Sequence, residues 1–292
     1  MSISHRRKGR PFGEIINTIV LIFISLICLL PFLYIICVSF TDPSVYVPLK
    51  FYLIPEKFSI AAYKHILSTP TFLNSMRSTI FVTVVGTLLN LIVTFTFAYG
   101  LTKKALPGRK IINICVIITL LFNAGIVPNY LLMKELGLLN SHWSLILGSL
   151  TNAWSIIVVR SFMQSIPSSL EEAAIIDGAT EVGVFTKIII PLSIPCIASF
   201  TLLFAVAHWN TYFNAMMYLA DPKKWTLQVL VKTLVLDSDS NSVGQMSSDA
   251  MGLPQETIRM ASVTLAMAPI LILYPFLQKY FVKGVMMGAV KE

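Results

Sequence analysis

The chain has 292 residues, of which 55% are hydrophobic and only 12% charged, with a net charge of +8. Soluble domains carry roughly 25% charged residues, so this composition excludes an ordinary soluble globular protein and points to the membrane. The basic residues are dispersed and accompany no nucleic-acid fold signature, so the positive charge reads as topology bias and attraction to anionic lipid.

A membrane-spanning helix needs about 20 apolar residues. Six segments reach that length, at 15–40, 78–100, 111–133, 143–162, 193–213 and 257–281. They are continuous rather than alternating, which argues against a transmembrane β-barrel. The chain is therefore expected to be an all-α integral membrane protein with six transmembrane helices. Pro31, Pro128, Pro269 and Pro275 fall inside these segments and should kink them. Arg6, Arg7, Lys8 and Arg10 precede an apolar run too long for a secretory signal, with no small-x-small cleavage pattern after it, so the first span should stay uncleaved.

Short basic segments fix orientation. The N-terminal tail, the turn holding Lys103, Lys104, Arg109 and Lys110, the region of Arg160 and Lys187, and the end holding Lys279, Lys283 and Lys291 all fall on one side. The positive-inside rule makes that side cytoplasmic, together with both termini. The expected organisation is a cytoplasmic tail at 1–14, a membrane domain at 15–283 and a cytoplasmic tail at 284–292. Outside the spans, 41–77 forms an outer loop broken by Pro43, Pro48, Pro55 and Pro70, and Pro107-Gly108 marks a cytoplasmic turn. A second outer loop at 216–256 contains the polar run 237–249, either a solvated spacer or a contact for an external partner. Cys28, Cys37, Cys115 and Cys196 lack ligand spacing, as do the four histidines, so no metal site is expected.

The cytoplasmic segment 163–192 carries the strongest signal. Ser168 with Glu171, or Ser169 with Glu172, is spaced as a capping box, with the acids at the positive end of a helix dipole. Gly178 should end this helix in the left-handed region. A second helix should run from Thr180 to Ile190 and stop at Pro191. At three- and four-residue spacing Leu170, Ala173, Ala174 and Asp177 share a face, and two alanines would let that face enter a narrow groove on another protein. An interfacial lipid-bound helix would instead favour Lys, Arg and bulky apolar residues.

The spacing Glu172-Ala173-Ala174, three residues, Gly178, nine residues, Ile188, one residue, Ile190-Pro191 resembles the loop of the membrane subunits of binding-protein-dependent ABC importers. Trp209-Asn210-Thr211-Tyr212-Phe213-Asn214 and the C-terminal stretch from Gln278 to Lys291 extend the resemblance to the carbohydrate-importer permeases, specifically the smaller permease of the pair. Ile190 stands where that family often has Leu. The resemblance implies the type I ABC importer permease fold with a cytoplasmic coupling-helix loop. It assigns contact with an ATPase subunit to Leu170, Glu171, Glu172, Ala173, Ala174, Asp177 and Gly178, with a contribution from 284–292. It further implies a second permease as heterodimer partner, two copies of the nucleotide-binding subunit and an extracytoplasmic solute-binding protein. No Gly-x-x-x-x-Gly-Lys-[Ser/Thr] loop occurs in the chain, so ATP and Mg belong to the partner subunit and no cofactor is expected here.

Polar groups near the end of the fifth span, His208, Trp209, Asn210, Tyr212 and Asn214, are candidate substrate-pathway residues, since amides bridge sugar hydroxyls and aromatic rings stack on pyranose faces. Helix packing and an interfacial aromatic belt explain them equally well. Asn123, Asn129, Asn152 and Trp154 are weaker candidates. The cargo could instead be a peptide or polyamine. An integral membrane enzyme is the reading from another class, and it lacks a histidine near the acids Glu171, Glu172, Asp177 and Glu181, so no catalytic residue is assigned. A channel or scaffold working without ATP is a third reading.

Overall fold

The computed structural model describes residues 12–47, 50–236 and 254–289. The basic residues Arg6 to Arg10, the polar run at 237–249 and the end of the C-terminal tail lie outside the described residues. Those described form helices, turns and loops, apart from one antiparallel bridge between Thr41 and Phe58. An all-helical chain is what unbroken apolar runs dictate, because a backbone in lipid must satisfy its hydrogen bonds within each segment.

The chain divides into two units, 1–68 with 237–265 and 69–236 with 266–292. In the first, α1 (Phe12–Ser39) leaves its apolar surface exposed almost throughout and contains Pro31. The loop after it is more ordered than its prolines suggested. Asp42 caps a 3-10 turn at Pro43–Val45 and pairs with Lys57 at 2.7 Å. The bond from Lys57, helped by Ser44, holds the Asp42 carboxyl down at about 2. Phe40 stacks on Phe58, and the Ser39 and Tyr63 hydroxyls lie 2.6 Å apart, tying the end of α1 to α2 (Ala61–Ser68).

The second unit is built on α3 (Pro70–Thr102), which starts eight residues before the apolar run that predicted it. Pro70 suits the first helical turn because its missing N–H has no partner there, and Phe72 and Ser75 are buried, so the helix extends past the purely apolar stretch. The third and fourth apolar segments are not continuous helices. α4 (Arg109–Leu121) stops at an extended Phe122, and α5 (Ile126–Glu135) starts after Gly125, whose φ of 88° favours glycine. The Asn123 side chain accepts from the Gly125 amide at 2.9 Å, a local turn that competes with helix. Pro128 therefore lies in a first turn and kinks nothing. Likewise α6 (His142–Leu147) ends at Gly148, and Asn152 caps α7 (Ala153–Gln164) by accepting from Ser155 N at 2.9 Å.

Beyond α7 come α8 (Ser168–Ile176), α9 (Glu181–Val184), a π-helical turn at Phe185–Ile189, α10 (Ile190–Leu192), α11 (Ile194–Trp209), α12 (Phe213–Tyr218), α13 (Leu227–Leu236) and α14 (Gln255–Ala289). The second helix of the segment 163–192 does not stop at Pro191. Ile190 N bonds Phe185 O, five residues back, and the wider turn absorbs the proline before the chain bends by 78° between Leu192 and Ile194. By length and composition, 13–39 and Pro70–Thr102 can each cross a membrane, and the bent pair counts as a third span if its halves act together.

α3 is the hub of this unit, packing on α11, α7, α6 and α13. Its buried face alternates Ser75, Thr79, Gly86, Asn90 and Thr94 with Phe72, Val82, Phe95 and Ala98. Apolar burial alone does not select partners among helices in lipid, so small and hydrogen-bonding residues specify the contact. Asn90 Nδ2 donates to Ser149 O at 3.0 Å, the Thr94 and Thr151 hydroxyls meet at 2.9 Å, and Leu227 N donates to the Thr79 hydroxyl at 2.7 Å. The absence of a side chain at Gly86 makes room for the buried His208 ring, whose atoms lie 2.6 Å from where a Cβ would stand.

Gly86→Ala should therefore lower the stability of this packing by about 2 kcal/mol through steric overlap. Adding His208→Ala should recover part of the loss. Thermal unfolding in detergent checks both, and an unchanged midpoint for Gly86→Ala would contradict the close approach.

Candidate functional site

The segment 163–192 is a helix, a glycine break and a second helix, each boundary having a local cause. Pro167, with φ of −57° and ψ of 126°, occupies the N-cap position of α8 and caps nothing with its side chain. Because Pro167 takes that place, Ser168 and Ser169 fall inside the helix and the expected capping boxes do not form. At the other end Gly178 N bonds Ile175 O at 3.0 Å and Ala179 N bonds Ala174 O at 2.9 Å, with Gly178 at φ 85°, the paired-bond termination that glycine allows. Thr180 then caps α9, accepting from Gly183 N at 3.2 Å.

Glu171, released from capping, serves a different purpose. Its carboxylate accepts from Lys103 Nζ at 2.6 Å, and Glu181 of α9 lies 3.0 Å from the same ammonium. Tyr99, one turn earlier on α3, donates its hydroxyl to Glu181 at 3.1 Å, and its ring lies under Lys103 Nζ at 4.5 Å. One ammonium thus joins the end of α3 to both helices of the segment. Burial opposes the Lys103 charge, but bonds with Glu171, Tyr99 and Glu181 outweigh it, so its pKa rises above the ordinary 10.5. The bond from Lys103 pulls Glu181 below its ordinary 4.5.

The inner side of the segment is also anchored by packing. Val184 and Ile189 join a core with Phe95, Tyr99, Val159, Met163 and Phe200, against which Ala174 and Phe185 lean. Ala174 thus turns inward and leaves the face it was expected to share with Ala173. Glu172, Ala173, Asp177 and Gly178 are exposed, with Leu170 beside them. Two apolar side chains stand out in solvent here, Ile176 at 85% and Val182 at 70% exposure.

The other predicted cluster comes apart. α11 ends at Trp209, and the break at Thr211 and Tyr212 means that Asn210 with Asn214, and His208 with Tyr212, do not share faces of one helix. His208 and Trp209 are buried, and the Trp209 indole N–H donates to Ala266 O at 3.1 Å. Asn210 and Asn214 are exposed, and Lys232 Nζ lies 3.9 Å above the Tyr212 ring. Asn123 and Asn152 make the turn and cap described above, Asn129 is exposed, and the Trp154 ring lies 5.9 Å from that of Phe200. Sequence reasoning missed Lys103 and Tyr99, whose partners lie 68 and 82 residues away. The one available signal was a lysine directly after an apolar span.

The helical membrane chain and its anchored polar segment are those of a transport permease, as the family match shows. The chain belongs to the family of binding-protein-dependent transport system inner membrane components, whose profile matches residues 3–287. It is 44% identical over 286 residues to the polygalacturonan/rhamnogalacturonan transport system permease protein YtcP of Bacillus subtilis (strain 168), covering 97% of this chain and 99% of that one. It is 42% identical over 290 residues to protein LplC of the same organism, covering 99% and 98%. Among solved structures, it matches a bacterial ABC transporter involved in the import of the acidic polysaccharide alginate with a TM-score of 0.87 and 35% identity, over 96% of this chain and 100% of the other.

Lys103→Met should raise amide exchange across 168–184 roughly fivefold, the loss of about 1 kcal/mol from partly exposed charged bonds. The pH dependence has two limits. Glu181 holds its proton more weakly when folded, so its contribution is complete above about 4.5 and fades as pH falls below that. Lys103 holds its proton more tightly when folded, so its contribution is complete below about 10.5 and fades above. Exchange protection of α8 and α9 that kept its full value well below pH 4 would contradict the Glu181 bond.

Proposed function

We propose that this chain is one permease of an ATP-driven importer that passes a sugar or oligosaccharide from an extracytoplasmic binding protein across the cytoplasmic membrane. The observation that carries the cargo class is the end-to-end match, at 44% identity, with YtcP, the permease of a polygalacturonan/rhamnogalacturonan transport system. The likeness to the alginate importer supports the same class. The family is binding-protein-dependent by description, which supports an external delivery protein. A second permease forms the other half of the pathway, and two ATPase subunits bind ATP and Mg on the cytoplasmic side.

In this reading the membrane domain spans 15–283 with six crossings, between cytoplasmic tails at 1–14 and 284–292. α4 with α5 and α6 with α7 are broken crossings, α9 to α11 enter and cross with a bend, and α14 is the last. The coupling loop is 163–192. Leu170, Glu172, Ala173 and Asp177, with Ile176 beside them, meet a groove on the ATPase subunit. Glu171 and Ala174 hold the helix from behind, and Gly178 ends it. Closure of the ATPase pair on ATP pushes α8, and the anchors carry that push to α3 and α11 as a rigid-body movement. Along the pathway, Asn210, Asn214 and the Tyr212 ring are the accessible members of their cluster, while His208 and Trp209 shape the helix packing behind them.

Ala173→Arg places a long charged side chain on the docking face without touching the core. In the complete importer reconstituted in vesicles, sugar uptake should fall at least roughly tenfold, the effect of about 1.4 kcal/mol at the contact. ATP hydrolysis should lose its response to the loaded binding protein while the unfolding midpoint stays unchanged. Normal uptake by Ala173→Arg would overturn the docking face, and equal uptake with and without ATP would overturn the importer reading.

A further inference from the structure

The loop that follows α1 has a small core of its own and an apolar tip left outside it. Tyr52 is buried, its ring stacked on Tyr46 at 5.7 Å and its hydroxyl accepting from Val47 N at 2.9 Å, while Phe51 and Leu53 on either side turn outward. Phe51 is 64% exposed, Leu53 53% and the adjoining Ile54 79%. The charges beside this tip are matched, Lys50 with Glu56 and Lys57 with Asp42, and residues 51–55 carry none. Three large apolar side chains with no charge among them favour an apolar surrounding over water.

The position of the tip says which surrounding. From Phe58 to Phe51 the loop runs back along α1: Phe58 bridges Thr41, the Cys37 thiol donates to Leu53 O at 2.9 Å, and the Phe51 ring stacks on Tyr34 at 5.4 Å. With 28 residues, α1 is about 42 Å long, the thickness of a bilayer with its headgroups. Tyr34 stands about 8 Å short of the Ser39 end, where headgroups give way to hydrocarbon. A water-soluble partner does not reach that depth. Nor does α1 select a neighbouring helix there. Ile27, Leu29, Leu30 and Phe32, spread around its circumference, are all between 42% and 52% exposed. The Thr18 and Ser25 hydroxyls turn back on Glu14 O and Leu21 O, each at 2.7 Å. An apolar helix bare on every side, with those hydroxyls bonded internally, is surrounded by lipid.

We propose that Phe51, Leu53 and Ile54 form an interfacial anchor, inserted among phospholipids at the headgroup boundary of the leaflet on the Ser39 side of α1. The anchor fixes the depth of that end of α1 and of α2, which the Ser39 and Tyr63 hydroxyls tie to it. This goes beyond the transport reading and does not depend on the cargo.

The test places the photoreactive residue p-benzoylphenylalanine at position 54 of this chain in the complete importer, reconstituted in phospholipid vesicles, and identifies the adducts by mass spectrometry after illumination. The same residue at the exposed Lys223, in a polar turn, is the comparison. Position 54 should yield phospholipid adducts at roughly ten times the level of position 223. Phe51 takes the same probe as a second site, because the added ring system extends a phenylalanine that is already exposed and keeps the test decisive if position 54 disturbs assembly. Equal lipid yield at the loop and at position 223 would overturn the anchor. Adducts with the second permease or the binding protein in place of lipid would overturn it too, and would assign the tip to a protein contact. The readout needs neither ATP nor sugar, so its failure leaves the importer reading standing.

Discussion

The second unit depends on the way α3 is packed. A helix in lipid gains little from burying apolar side chains against other apolar side chains, because lipid tails are equally apolar. What distinguishes one helix contact from another is close approach and satisfied polar groups. α3 supplies both, with Gly86 admitting the His208 ring and Thr79, Asn90 and Thr94 each meeting a specific partner. Registered by these contacts, α3 brings its last turn to the one place where Tyr99 and Lys103 meet the polar segment.

The Lys103 cluster is better understood as positioning than as a store of stability. Partly exposed ion pairs contribute little on their own, and the Glu181 side chain is mostly in solvent. Yet one ammonium bonded to acids on α8 and α9 leaves neither helix free to shift without breaking a bond to α3. The core of Val184, Ile189, Phe95 and Phe200 does the same from the apolar side. The segment is thus fixed on its inner face and bare at Ile176 and Val182 on the other.

The broken helices also follow from local bonds. Here Asn123 and Asn152 satisfy amides at the breaks with their own side chains. The π-helical turn before Pro191 likewise converts a missing donor into a bend between the polar segment and α11. These departures from regular helix give the chain places to turn, and α3 remains unbroken among them.

Much of this was legible in the sequence. Composition and run length determined a helical membrane chain, since hydrocarbon admits few alternatives. The spacing from Glu172 to Pro191 determined the helix, glycine break and helix, since Gly178 and Thr180 act on their immediate neighbours. What run length could not reveal was continuity: the third and fourth apolar segments break where Asn123 and Asn152 bond amides two and three residues on. Nor could spacing reveal that Pro167 displaces the serine caps, that Ala174 turns inward, or that Asn210 and Asn214 part at a break. Lys103 with Glu171 and Glu181, and Arg160 with Asn113, are pairings across long stretches of chain. Sequence alone determined which residues could be charged, small or apolar; only tertiary packing decided which of them meet, because those contacts depend on helix register and rotation rather than on neighbours in the chain.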